Sequence, residues 1–179
     1  MPDTPDGRGT LTWHAAADRT ELLAAPVAAI LGAVPSLEVS EIDPELADTA
    51  AFCSAYGSAP ELSGNCVVVA GRRGEITRYA AVVVLATTRA DVNKAVRKFL
   101  DVRKCSFAPM DDAVRLSGME YGGITPIGLP ADWPVLIDER VANAPATVVI
   151  GSGLRASKCL VSPAELAALP TAEVGTFAN

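Results

Sequence analysis

The first candidates for chemistry in this chain are backbone groups rather than side chains. Between Leu116 and Pro130 (LSGMEYGGITPIGLP) stand Gly118, Gly122, Gly123 and Gly128 beside Pro126 and Pro130, with apolar residues between them and almost no charge. Glycine frees the backbone and proline fixes φ, a combination suited to aiming main-chain N–H groups at a ligand. The competing reading is a buried turn crossing beneath a sheet. Side-chain alternatives are thin. His14 is the only histidine and stands near the N-terminus beside Trp13. A Ser-His-Asp or Cys-His system would therefore need that segment to fold into the site. Cys53, Cys66, Cys105 and Cys159 are far apart, with no CxxC and no Cys/His cluster. Their apolar surroundings read as buried free thiols in a reducing compartment, and no metal and no cofactor is expected.

A second glycine motif, Thr147–Ala156 (TVVIGSGLRA), mimics a dinucleotide fingerprint: an apolar strand followed by GxGxxA. The match fails downstream. Lys158–Val161 reads as another strand rather than a helix, and too little chain remains for the rest of a βαβ unit. No Gly-Lys-Ser/Thr follows, so a P-loop fails as well. Next comes Ser162-Pro163-Ala164-Glu165-Leu166, which predicts a helix with Ser162 as N-cap, Pro163 in the first turn and Glu165 as the reciprocal partner of a capping box.

Three segments together resemble one family. Ala113–Gly118 followed by Gly-Gly-Ile-Thr-Pro-Ile-Gly-Leu is similar to the central motif of the YbaK/ProX aminoacyl-tRNA deacylases, relatives of the editing domain inserted in bacterial prolyl-tRNA synthetases. The small-residue helix Thr49–Tyr56, then Gly57, leads to Ser63-Gly64-Asn65-Cys66-Val67-Val68 as the family's helix leads into a strand. The Gly151-Ser152-Gly153 segment with its strand and Ser-Pro-led helix is the third match. The resemblance covers roughly Glu21 to Leu169 and implies hydrolysis of amino acids wrongly esterified to tRNA. It departs at one point: the family's strand begins with an active-site lysine, and Asn65 stands there instead. Asparagine keeps hydrogen-bonding capacity but has no positive charge and no titratable amine.

On this likeness the catalytic set is Gly122, Gly123, Ser152 and Asn65. Gly122 and Gly123 present N–H groups near the ester carbonyl, and Ser152 holds the water or the ribose edge. Gly151, Thr125 and Asp138 form the substrate-binding set; Asp138 is the nearest candidate acid, and its bland reading is a residue that ends a strand. Aminoacyl esters are reactive enough for orientation and backbone donors to suffice. The main alternative is a non-catalytic module binding an aminoacyl-tRNA end or a synthetase. A small-ligand protein reusing the pocket is the third class.

The elements that must position these residues follow from periodicity. Asp18–Leu31 reads as a helix, awkward at Pro26 and divisible into two short pieces there. Leu37–Ile42 alternates as a half-buried strand, and Asp43 caps a helix from Pro44 to about Tyr56 ended by Gly57. Asn65–Gly71 and Ile76–Thr87 are β-branched runs joined by Arg72–Glu75, a hairpin and the spine of the sheet. Asp91 caps a helix over 91–100 whose exposed face carries Lys94, Arg97 and Lys98; Arg103 and Lys104 follow directly. Met110–Leu116 reads as a helix, and Ser106–Ala108, Val135–Asp138 and Ala146–Ile150 as strands. The fold expected is α/β of the α+β kind: a mixed, largely antiparallel curved sheet or barrel with surrounding helices. A partly ordered leader (residues 1–18) would precede a single domain (19–179).

Composition sets the outer bounds. Of 179 residues, half are hydrophobic and a fifth charged, an ordinary globular balance. A net charge of −6 argues against generic nucleic-acid binding without excluding a local basic patch; Lys94, Arg97 and Lys98 are the best candidates for contacting tRNA phosphates, and their bland reading is a solvated face. The longest apolar run, Tyr79–Ala86, is too short to span a bilayer, and no signal peptide is evident; a cytoplasmic protein with no membrane partner is expected.

Overall fold

The computed structural model describes residues 7–179. Among the described residues nine strands form two sheets. Strands β1 (His14–Ala15), β2 (Glu38–Glu41), β7 (Val148–Gly151) and β8 (Ser157–Val161) make the first, in the order β1-β2-β8-β7 and wholly antiparallel. The second contains β3 (Gly64–Arg73), β4 (Ile76–Leu85), β5 (Lys104–Phe107), β6 (Val135–Asp138) and β9 (Ala172–Gly175), ordered β5-β3-β4-β6-β9. Here β6 runs parallel to both β4 and β9, while the other pairs are antiparallel. The two sheets touch at a single parallel bridge, Ser63 to Val149. The largely antiparallel α/β expectation holds. The closed barrel does not: the strands divide between two sheets.

Alternation along β4 explains the layering. Ala81, Val83 and Leu85 face the space between the sheets, where they meet Val39, Val148, Ile150, Cys159 and Val161. Ala80, Val82 and Val84 face the other way and pack on Val92, Val96, Leu100 and Phe177. A strand buried on both faces must be apolar throughout, and Tyr79–Leu85 is. The outer face of the first sheet is covered by α2 (Thr49–Tyr56), whose fully buried Phe52 packs on Val149 and Leu160.

Local chemistry sets the element ends, and here several sequence expectations shift. The region read as one helix over 18–31 is broken into 3-10 turns and the four-residue α1 (Ala25–Ala28), which carries Pro26 in its first turn. Proline lacks an N–H and clashes with the preceding turn, so it serves as a start, not an interior. The helix expected over 44–56 likewise divides. Asp43 caps a 3-10 turn at Pro44–Leu46, and Asp48 caps α2 by accepting from the Ala50 N–H at 3.1 Å. Asp91 caps its helix as expected, but Val92–Val96 is π-helical and only α3 (Arg97–Leu100) is α-helical. α4 (Met110–Ser117) ends at Gly118, and α5 (Glu139–Ala142) follows β6 directly. In α6 (Pro163–Ala167), Ser162 accepts from Glu165 N–H at 3.1 Å, so the cap forms. The box is not closed: the Glu165 carboxylate turns to Ser36, accepting from its hydroxyl at 2.7 Å and its N–H at 3.2 Å.

Residues 1–6 of the expected leader lie outside the described residues. From Gly7 onward the segment is held in place. Arg8 pairs with Glu38, Trp13 donates its indole N–H to Arg8 O at 2.9 Å, and β1 extends the first sheet. His14 lies exposed on β1.

Candidate active site

A cleft of about 940 Å³ opens where the two sheets part beneath α2. Its lining includes Thr49 and Cys53 on α2 with the N-cap Asp48, Asn65 to Val68 on β3, Phe107 at the end of β5, Tyr121, Gly122 and Ile124 in the glycine-rich stretch, and Gly151, Arg155 and Lys158 around the β7–β8 turn. Asn65, Gly122 and Gly151 are thus brought together from three distant parts of the chain. Ser152, Thr125, Asp138 and Gly123 are not part of that lining.

The reasons are geometric. Ser152 is fully buried, with its hydroxyl 2.7 Å from Ser157 Oγ and accepting from the Leu154 N–H at 3.1 Å. Ser157 in turn donates to Leu22 O at 2.6 Å. This chain of hydroxyls fastens the β7–β8 turn to the N-terminal segment and leaves Ser152 no free direction toward a substrate. Asp138, also fully buried, caps α5 through the Arg140 N–H at 3.1 Å and accepts from the Phe177 and Ala178 N–H groups, each at 2.9 Å. Its work is to tie the C-terminal segment to β6, which is the bland reading. Thr125 is buried with an unpartnered hydroxyl.

Gly123 acts through its missing side chain. Its N–H is spent on Glu120 O at 2.9 Å, and its carbonyl accepts from Gly153 N–H at 2.7 Å. A Cβ on Gly123 would lie 2.6 Å from the Leu154 carbonyl carbon, and one on Gly151 would lie 2.5 Å from Gly123 O. The glycine stretch and the 151–154 turn therefore lie backbone against backbone, a close crossing that leaves Gly122 in the lining of the cleft and the Gly123 N–H bonded within the stretch. Gly122 has φ +87, and a Cβ there would meet Arg155 Nη1 at 2.3 Å. Arg155 locks that rim by donating to Tyr121 O at 3.2 Å and Pro44 O at 3.0 Å.

Asn65 is also engaged: the Thr49 hydroxyl donates to its Oδ1. That contact ties β3 to the first turn of α2. The thiols offer no nucleophile. Burial pushes Cys66 up to about 12 and raises Cys53 above the ordinary thiol value, so both stay protonated at neutral pH.

The side chain that sequence reasoning passed over is Lys158. It lies in β8 between Ser157 and Cys159 and is only 8% exposed. Its ammonium stands 5.3 Å from the centre of the Phe52 ring. Among the described residues it makes no hydrogen bond and no ion pair. Burial lowers its pKa below that of an ordinary lysine, opposed by the nearby Cys53 and Asp48. The signal was present: a lysine opening Lys158–Val161, a run read as a strand and otherwise apolar, has to lead somewhere polar once that strand is buried. Arg155 and Asp48 were missed too, being loop and cap residues with no motif around them.

Lys94, Arg97 and Lys98 lie apart from the cleft, where with Asp101, Val102 and Arg103 they border a shallow depression of about 550 Å³. β5 links the two sites: Lys104 begins it beside this basic group, and Phe107 ends it at the cleft. Three residues of strand span about 10 Å. Phe107 and Tyr121 are exposed at the cleft mouth, at 62% and 58%.

With this geometry in hand, comparison places the chain. Residues 43–169 match the family model for the aminoacyl-tRNA editing domain, and the chain belongs to that family. Among solved structures it resembles a candidate trans-editing enzyme for prolyl tRNA synthetase, with a TM-score of 0.71 and 22% identity, covering 88% of this chain and 99% of that one. A second, described only as a hypothetical protein, gives a TM-score of 0.74 at 19% identity, covering 86% and 99%. A third, a candidate signal transduction protein from Marinobacter aquaeolei VT8, gives 0.53 at 16% identity and covers 82% of this chain but 28% of its own. These likenesses are of fold. No curated protein sequence matches the chain. Among the described residues no helix is long and apolar enough to cross a membrane.

Proposed function

We propose that this protein hydrolyses the ester bond of a mischarged aminoacyl-tRNA, acting in trans, in the cleft between α2, β3 and the β7–β8 turn. The observation that carries the reading is the cleft itself. In a chain of the editing-domain family, it is large enough for an aminoacyl-adenosine and is lined by Asn65, Gly122, Gly151 and Lys158. No histidine and no thiolate serves it. Catalysis then rests on holding the ester in place and stabilising the developing oxyanion, which suits a substrate already activated. Phe107 and Tyr121 at the mouth offer faces on which the terminal bases stack, a sequence-tolerant contact worth about 1–3 kcal/mol per base.

The acceptor stem would run from the cleft along β5 to Lys94, Arg97 and Lys98, where phosphates release counterions from the tRNA. Charge reversal at Arg97 and Lys98 to Glu is expected to weaken tRNA binding by at least about tenfold and to flatten its salt dependence, with the thermal transition unchanged. Unchanged affinity in a filter-binding titration would return this face to plain solvation.

The test of the function is a deacylation screen over individually charged tRNAs. The proposal expects at least one tRNA to be discharged through multiple turnovers. Protection of the ester without turnover would favour a non-catalytic module that binds the charged end or a synthetase. Indifference to all tRNAs would point to a small ligand instead.

A further inference from the structure

We propose that Lys158 is a catalytic residue of this cleft: its ammonium, delivered from β8, meets the ester carbonyl oxygen and stabilises the oxyanion formed there. The inference rests on the hydrolase reading above and adds a group to which neither the family match nor the sequence motifs point.

Four observations carry it. Lys158 lines the cleft while being only 8% exposed, so its stem is packed and its ammonium has one outlet. Its three N–H donors have no acceptor among the described residues, and, unlike the Thr125 hydroxyl, its Nζ is not a sealed orphan but reaches the cleft it lines. The ring of Phe52, at 5.3 Å, offsets only part of the cost of its burial. Asn65, on β3, brings no charge to the cleft and its carbonyl is taken by the Thr49 hydroxyl; among the described residues that line the cleft, the cations are Arg155 and Lys158. Arg155, the other cation of the lining, is spent on Tyr121 O and Pro44 O. Finally, the bridge from Ser63 to Val149 aligns β3 with β7, and Gly151 pairs with Lys158. Asn65 and Lys158 both line the cleft, on strands that this bridge and this pairing connect through β7.

The step balances simply. Water adds to the carbonyl carbon, and the C=O electron pair moves onto oxygen, where the Lys158 ammonium holds it. The tetrahedral centre then collapses, breaking the bond to the ribose oxygen. That oxygen takes the proton shed by the attacking water, giving the free amino acid and a tRNA with its hydroxyl restored. Lys158 keeps all its protons throughout.

The charged form is the active one, which sets the sign of the pH dependence. Burial lowers the Lys158 pKa, Arg155 lowers it further, and Cys53, Asp48 and Cys159 oppose them. After subtraction of uncatalysed hydrolysis, activity should fall as pH rises through this pKa, earlier than an ordinary lysine would allow. Lys158→Arg, charged at every accessible pH, should remove that limb.

The experiment is steady-state deacylation, with melting curves, for the parent, Lys158→Met, and Lys158→Met combined with Asn65→Lys. Lys158→Met should lower kcat and kcat/KM together by about 10²–10³, as for loss of one oxyanion donor. Its Tm should hold or rise, because an apolar chain of similar volume replaces an unpaired ammonium. Adding Asn65→Lys should return at least about tenfold of the lost rate by supplying the ammonium from β3. A Lys158→Met chain that keeps the parent's rate and pH profile overturns the role of Lys158 alone. So does one whose loss of rate follows a fall in Tm. A parent chain inert toward every charged tRNA overturns the hydrolase reading itself, and the role of Lys158 with it.

Discussion

Gly123→Val should leave no measurable deacylation and a protein destabilised by about 3 kcal/mol or more. The new Cβ would lie 2.6, 2.7 and 2.9 Å from the carbonyl carbon, oxygen and nitrogen of Leu154. These are backbone atoms in a buried turn and cannot swing aside as a flexible side chain would. Overpacking of a tight interior costs about 1–3 kcal/mol, and a clash against fixed backbone belongs at or above the top of that range. The β7–β8 turn would have to move, taking Gly151, Arg155 and Lys158 out of the cleft wall together. Gly57→Ala is the control. Its site is open, with nothing within 4 Å, but has φ +65 at the end of α2, so about 1–2 kcal/mol of strain is expected. Denaturant melts of the two variants, with deacylation measured on the folded fraction, separate them. A folded, active Gly123→Val protein would show that the backbone crossing is looser than described.

Asp138→Ala should be comparably damaging to stability and should leave the chemistry alone. The Asp138 carboxylate is fully buried and accepts three main-chain N–H bonds, at 2.9, 2.9 and 3.1 Å. Hydrogen bonds to a charged group contribute about 1.5–3 kcal/mol each, and orphaned buried donors add their own cost. A loss of about 3–5 kcal/mol is therefore expected, with the C-terminal residues 176–179 released first. Hydrogen exchange at Phe177 and Ala178 reports that release. Activity per folded molecule should match the parent. A large drop in kcat without a drop in stability would reinstate Asp138 as an acid of the reaction.

The contrast between these two residues and Lys158 shows how far the sequence could be read. The hairpin, the capping aspartates and the Ser162-led helix were legible because each depends on local chemistry: β-branched runs, Asx caps, proline in a first turn. The glycine stretch was legible as a place of close approach, since only backbone freedom explains its composition. What it approaches was not legible, because Leu154 lies thirty residues downstream and pairing across that gap leaves no local trace. Asp138 and Ser152 were drawn toward the site by their place beside motifs. Their partners, Phe177 and Ala178 for one and Ser157 for the other, are set by tertiary packing alone. The break of the first helix at Pro26 was foreseeable, whereas the parting of nine strands into two sheets was not, because strand order is decided by which apolar faces meet. Lys158 shows the reverse case. A charged residue within a buried run was visible from the start, but only the fold gives its ammonium a destination.

Where a charged end lodges decides whether the cleft is the site of hydrolysis. A crystal structure with a non-hydrolysable 3′-aminoacylamino adenosine, carrying the amino acid that the deacylation screen selects, answers it. The acyl oxygen is expected within hydrogen-bond reach of Lys158 Nζ, the acyl chain between α2 and β3, and the base against Phe107 or Tyr121. An analogue bound with its acyl group outside the cleft, or inside it with Lys158 turned away, would rule out Lys158 as the oxyanion donor.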